Sequence, residues 1–148
     1  MNKKKKKSVI GWREWVSLPE LGIANIKAKV DTGARTSALH AFDVKVQDHD
    51  TGKKVFFKIH PYQEDTDNVI ECTADVIDER MVTDSGGHKE MRMIILTTIE
   101  VGDDAFSIEL TLTDRDTMRF RMLLGRTALK QRYMVDAGKS YLTRPDQD

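Results

Sequence analysis

Alternation constrains this chain more than any other feature. Ile26, Ala28 and Val30 exchange places with Asn25, Lys27 and Lys29, and Phe42, Val44 and Val46 alternate with polar neighbours. The same holds for Val55, Phe57 and Ile59, for Phe106, Ile108, Leu110 and Leu112, and for Met118, Phe120, Met122 and Leu124. A period of two sends successive side chains to opposite faces of an extended chain, so each run predicts a half-buried strand. Turn signals fall between the runs, at Leu18-Pro19-Glu20, Asp50-Thr51-Gly52-Lys53, Ser85-Gly86-Gly87, Val101-Gly102-Asp103-Asp104 and Ala137-Gly138-Lys139. One short helix is expected over residues 126–132, followed by a hairpin-like pair, 133–136 with 140–143. No solenoid repeat occurs, and no βαβ alternation points to a parallel sheet. The expected fold is all-β, closed or nearly so.

A chain of 148 residues suits one domain and can bury a core without metal or disulfide. No apolar run approaches the ~20 residues of a membrane helix. Lys3 to Lys7 supply five of the 24 basic residues, so residues 8–148 carry 19 against 24 acids, a net of −5. The body therefore lacks the basic footprint of a nucleic-acid binder. The lysine run is read as a solvated, disordered tail over residues 1–8, ahead of a single domain at 9–148. Arg13 and Glu14 interrupt the stretch where a signal peptide would need its apolar region. The one cysteine, Cys72, leaves no internal disulfide, which fits a reducing, cytoplasmic setting.

Asp31-Thr32-Gly33-Ala34 stands out by its position. An alternating strand ends abruptly at an acid and small residues follow, lifting a carboxylate to a strand end. Gly33 keeps side-chain bulk away from a ligand approaching the backbone. Two similar triplets lack that setting. Asp50-Thr51-Gly52 sits among charges and reads as a hairpin turn. Asp84-Ser85-Gly86-Gly87 is like the nucleophile segment of chymotrypsin-like proteases but lacks its flanking Gly and Pro, and reads as a glycine-rich hairpin tip. Downstream, Met122-Leu123-Leu124-Gly125-Arg126 is an apolar run that ends in glycine and enters the short helix.

Together these two elements resemble the retropepsin family of single-domain aspartic proteases. The order matches as well: an active-site strand and loop at 26–36, a flap-like hairpin at 77–93 with its tip at Ser85, Gly86 and Gly87, strands at 94–101 and 105–113, then Leu124-Gly125-Arg126. The longer strings, from Gly11-Trp12-Arg13-Glu14-Trp15 through Lys27-Ala28-Lys29-Val30-Asp31-Thr32-Gly33-Ala34-Arg35-Thr36-Ser37-Ala38-Leu39-His40-Ala41, resemble a bacterial and archaeal branch known as ATP-dependent zinc proteases. Some of its members are linked with ATP-grasp ligases that add glutamate to proteins. The resemblance implies a closed retropepsin-like β-barrel with a flap and one C-terminal helix. It also implies an aspartic endopeptidase whose catalytic residue is Asp31.

Two departures from the retroviral pattern stand out. Arg35 occupies a position that usually holds an acid able to pair with the arginine of the second motif, here Arg126. The excursion between Leu39 and Ile70 is also longer. Aspartic proteolysis uses two carboxylates about 3 Å apart that cannot both be ionised. This chain offers one lobe and one such aspartate, so the reading requires a homodimer in which Asp31 meets its symmetry mate. Thr32 then braces the loop across the axis, Gly33 exposes backbone to an extended peptide, the Ser85–Gly87 tip closes as a lid, and Arg35 either reads substrate or meets a surface acid.

No cofactor is expected. His40, His49, His60, His88 and Cys72 show no metal-ligand spacing, although His40 beside the loop is a candidate to watch. Gly138-Lys139-Ser140 lacks the first glycine of a phosphate loop and reads as a turn. The rival to a protease is a non-catalytic peptide-binding module serving a glutamate-ligase pathway, and a zinc-dependent protease is a further alternative.

Overall fold

The computed structural model describes residues 7–83, 86–87, 89–114 and 119–144, and its regular structure is almost wholly strand. Among these residues the strands are β1 Ser8–Leu18, β2 Ile23–Val30, β3 Ser37–His40, β4 Phe42–His49, β5 Gly52–Ile59, β6 Ile70–Thr83, β7 Lys89–Val101, β8 Asp104–Thr113, β9 Met122–Leu124 and β10 Tyr133–Ser140. A 3-10 turn at Pro19–Leu21 and one helical turn, α1 Arg126–Leu129, complete the list of elements. Ser85, His88, Met118 and Lys3–Lys6 lie outside the described residues.

Neighbouring strands run in the order β10-β1-β2-β9-β3-β8-β7-β6-β5-β4, and a single pair, Ser17 with Glu100, joins β1 back to β7. Six strands thus form a ring, β1-β2-β9-β3-β8-β7, while β6, β5 and β4 leave it as a flange and β10 lies outside β1. This is the retropepsin-like all-β architecture, though not a clean barrel. Ile10, Val16, Ile26, Ala28, Leu39, Ile95, Ile99, Leu110 and Met122 fill the ring, and Val55, Phe57 and Ile59 extend the core beneath the flange. The period-two pattern decides which face these residues take.

Several expectations need correction. Phe42, Val44 and Val46 do form a strand, but β4 is an outer edge, and beyond Phe42 its residues are exposed. Of the run expected over 118–124, the described residues are regular only at Met122–Leu124; Phe120 is buried instead by edge-to-face packing on Trp12, with ring centroids 5.8 Å apart. The helix stops at Leu129. The expected C-terminal hairpin is one strand, β10, parallel to β1, with a ladder irregularity opposite Gly11–Arg13 where a turn was expected. Glycine permits this: a Cβ on Gly11 would lie 2.3 Å from the Lys139 carbonyl oxygen. Parallel pairs also join β2 to β9 and β3 to β8. Their connections cross through further strands rather than helices, so no βαβ signature announces them.

Buried Glu14 fastens the chain that follows β10. Its carboxylate accepts hydrogen bonds from the amides of Gly11 (2.6 Å), Leu142 (2.9 Å) and Thr143 (3.1 Å) and from the Thr143 hydroxyl (2.8 Å). A buried carboxylate is tolerated where donors replace its water in this way.

Candidate active site

β2 and β3 are joined by only six residues, 31–36, yet they are not neighbours: β9 lies between them. It pairs parallel with β2 (Ala28 with Met122, Lys29 with Leu123, Val30 with Leu124) and antiparallel with β3 (Ala38 with Leu123, Leu39 with Met122). The 31–36 loop must therefore arch over the end of β9. Asp31 sits at the start of the arch, just after buried Val30, and its amide donates to the Leu124 carbonyl at 2.9 Å.

The turn is set by Asp31 itself. Its carbonyl accepts from the Ala34 amide (3.2 Å), and its Oδ1 accepts from the Gly33 amide (3.0 Å). The carboxylate is thus held half-buried at the strand end rather than swinging freely. The second motif completes the arch from below. The amides of Arg126 and Thr127 donate to the carbonyls of Ala34 (2.7 Å) and Arg35 (3.0 Å), and the Arg126 guanidinium Nη1 donates to the Thr32 carbonyl at 3.1 Å. The buried Ser37 hydroxyl accepts from the Gly125 amide at 3.0 Å. Gly125 is required by space: a Cβ there would lie 2.4 Å from the Thr36 carbonyl carbon and 2.5 Å from its oxygen. The structure therefore brings Asp31, Thr32, Gly33, Ala34 and Arg35 together with Leu124, Gly125 and Arg126.

Arg35 does not confront Arg126. The Arg126 guanidinium turns to the loop backbone, whereas Arg35 lines a cleft of about 300 Å³ with Arg80, Arg132, Glu109, Phe106 and Thr127. Arg80 is neutralised there, with Nε 2.8 Å from Asp78 and Nη2 3.2 Å from Glu109. The Arg132 guanidinium stacks 4.0 Å from the Phe106 ring centroid. Neither Arg35 nor Arg132 has a carboxylate partner among the described residues, so the cleft beside the loop presents two unneutralised guanidiniums.

Of the hairpin tip, Gly86 and Gly87 are described and exposed, between β6 and β7. Ser37, Thr127, Arg80 and Arg132 escaped the sequence reading. Ser37 follows the arch directly and could have been read as its brace, whereas nothing in the sequence brings Arg80 and Arg132 to one cleft.

The described histidines are scattered. His40 is buried in β3, His60 stacks on Phe42, and His49 lies on the exposed edge strand. Cys72 is buried, its thiol donates to the Leu21 carbonyl at 3.4 Å, and burial pushes its pKa up to about 12, far from a thiolate ligand. No group of three or more His, Cys, Asp or Glu among the described residues could hold a metal. These residues do not fit a zinc centre.

Comparison with known families decides the affiliation. The family model of the retropepsin-like aspartic endopeptidase RimB matches residues 9–146. The chain belongs to the RimB-like family. Similar proteins include three named "probable alpha-L-glutamate ligase". That from Desulfotalea psychrophila is 45% identical over 130 residues, 88% of this chain and 28% of that protein. Those from Shewanella pealeana (41% over 135 residues) and Parasynechococcus marenigrum (43% over 136 residues) cover 91% and 92% of this chain and 30% and 29% of their own length. This RimB-like chain thus spans less than a third of the curated relatives it matches. Among solved structures it is similar to Lpg0085 from Legionella pneumophila, a protein of unknown function, with TM-score 0.76, 22% identity and coverage of 93% of this chain and 99% of that one. That likeness concerns the fold.

Proposed function

We propose that the chain is an aspartic endopeptidase that works as a homodimer, each subunit contributing Asp31 to one dyad. The observation that carries this reading is the arch itself: a carboxylate lifted to a strand end, aimed by the Gly33 amide, and braced by five hydrogen bonds running between residues 31–37 and 124–127. Rigid support of this kind suits a general acid–base group that must meet a symmetry mate at hydrogen-bond range. The ionised member of the pair takes a proton from water, the protonated member hydrogen-bonds the scissile carbonyl, and the two titrate as a unit. An extended peptide lies across the Gly33 backbone, and the Gly86–Gly87 tip closes over it.

The arginine cleft and the relatives' names support the same substrate class. Two guanidiniums without a carboxylate partner among the described residues, beside the arch, favour peptides with acidic side chains. The relatives, of which this chain matches less than a third, are named probable alpha-L-glutamate ligases, which supports a partner pathway that adds glutamate. Those same names favour one second reading, a peptide-binding module without catalysis.

Cleavage of an acidic peptide library by wild type, and its loss in Asp31→Asn with fold and dimer intact, is the expected outcome. Cleavage that survives the substitution removes Asp31 from the chemistry; a wild-type dimer that binds the peptides and cuts none favours the module.

A further inference from the structure

The excursion between β3 and β6 builds a second concavity, away from the arch. Its connecting segment, residues 60–69, borders an open cavity of about 490 Å³ together with β1 and β2, lined by Trp15, Lys27, Tyr62, Gln63, Glu64 and Arg119. Lys27 alternates with core residues Ile26 and Ala28, so its side chain leaves the ring on the outer face. It stands four residues before Asp31, about 13 Å along the strand.

The walls are preformed. Gln63 Nε2 donates to the Arg119 carbonyl at 3.1 Å, and Arg121 Nε reaches the Tyr62 carbonyl at 3.5 Å. Asp65 fixes the turn behind them by accepting from the amides of Asp67 and Asn68 and from the Asn68 side chain. Glu64, on the cavity wall, is held at φ +58°, a left-handed conformation that costs a residue with a Cβ. Backbone held in such a region is a feature of ligand sites when the surroundings impose it.

The lining is unfinished. Trp15 is only 9% exposed, and its Nε1 is buried with no hydrogen-bond partner. That nitrogen has almost no accessible surface, so Trp15 lends the cavity its ring face rather than its N–H. Lys27 Nζ lies 5.1 Å from the Trp15 ring centroid, and neither Lys27 nor Arg119 forms an ion pair with a described residue. Tyr62 offers an aromatic surface at the mouth, 42% exposed.

We infer that this cavity binds a small ligand made of a flat ring bearing a carboxylate or phosphate. The ring lies against Tyr62 and beside the Trp15 ring, and the anionic group meets Lys27 and Arg119. The volume is within the range of small-molecule sites.

The chain holds two tryptophans, so a ¹⁵N-labelled sample gives two indole N–H signals, assigned with a Trp12→Phe variant. Full-length protein is titrated with 4-hydroxyphenylacetate in one series and adenosine 5′-monophosphate in another. The Trp15 signal is expected to shift saturably with at least one of them while Trp12 stays in place, and the tighter probe tells carboxylate from phosphate. Lys27→Glu is expected to weaken binding roughly tenfold or more; Arg119→Ser serves the same purpose should the first variant fail to fold. A Trp15 signal unmoved by both probes at about 10 mM, or an affinity unchanged in both charge variants, overturns the inference.

Discussion

Replacing Gly125 by alanine attacks the arch at its tightest point. The new Cβ would lie 2.4 Å from the Thr36 carbonyl carbon, 2.5 Å from its oxygen and 2.9 Å from the Ser37 amide, all backbone atoms that cannot rotate away. Ordinary contact begins near 3.4 Å, so β9 and the loop must part by about 1 Å. Separation on that scale breaks the 3.0 Å bond from Gly125 to the Ser37 hydroxyl and stretches the 2.7 Å bond from Arg126 to Ala34. Overpacking costs about 1–3 kcal/mol, and two weakened hydrogen bonds add about 1 kcal/mol each. The expected loss is roughly 3–5 kcal/mol, which for a domain of this size lowers Tm by about 6–20 °C. Urea and thermal unfolding of Gly125→Ala beside Gly138→Ala provide the assay. Gly138 has its nearest neighbour at 3.5 Å and a backbone that needs no positive φ, so its variant should stay within about 0.5 kcal/mol of wild type. A Gly125→Ala protein as stable as the Gly138 control would refute the close approach of β9 to the 31–36 loop.

Glu14→Gln turns one of two accepting oxygens into a donor facing donors, leaving amides of the C-terminal strap unpaired; a loss of roughly 2–4 kcal/mol in urea titration is expected. The Cys72 thiol is raised by burial to about 12, so the folded chain holds that proton more tightly than the unfolded one. Its contribution is complete below the ordinary thiol range and disappears as pH climbs from about 9 toward 12. Tyr133, raised by burial and by its bond to Asp104, acts in the same sense. Wild-type Tm should fall across that window, and Cys72→Ala should flatten the first part of the fall. Arg132→Glu should lower kcat/KM for acidic peptides about tenfold and leave neutral peptides nearly unchanged; equal losses on both would detach the cleft from specificity.

Much of the fold was legible because one face of most strands is buried, and alternation reports burial directly. Val55, Phe57 and Ile59 are read correctly for that reason. Phe42, Val44 and Val46 carry the same pattern on an edge strand, where alternation no longer reports a core. β1 shows mixed spacing, since a ladder irregularity near Gly11 and the buried Glu14 break its period. The parallel pairs were hidden, because partners such as Val30 and Leu124 lie some 90 residues apart in the chain and no local signal links them. At the site, the abrupt acid after Val30 and the glycine after Leu124 were both visible, and the structure supplies their physical link in the missing Cβ at position 125. The arginine cleft was not visible, as it draws on β6, β8, the arch and the segment after α1.

The dyad can be tested by mixing. Wild type and Asp31→Asn chains, unfolded together in equal amounts and refolded, pair at random if the active unit is a dimer. Only wild-type pairs keep two aspartates, so peptide cleavage per total protein should fall to about a quarter of wild type. A value of about one half, the result for chains that each cut alone, would contradict the shared Asp31 site.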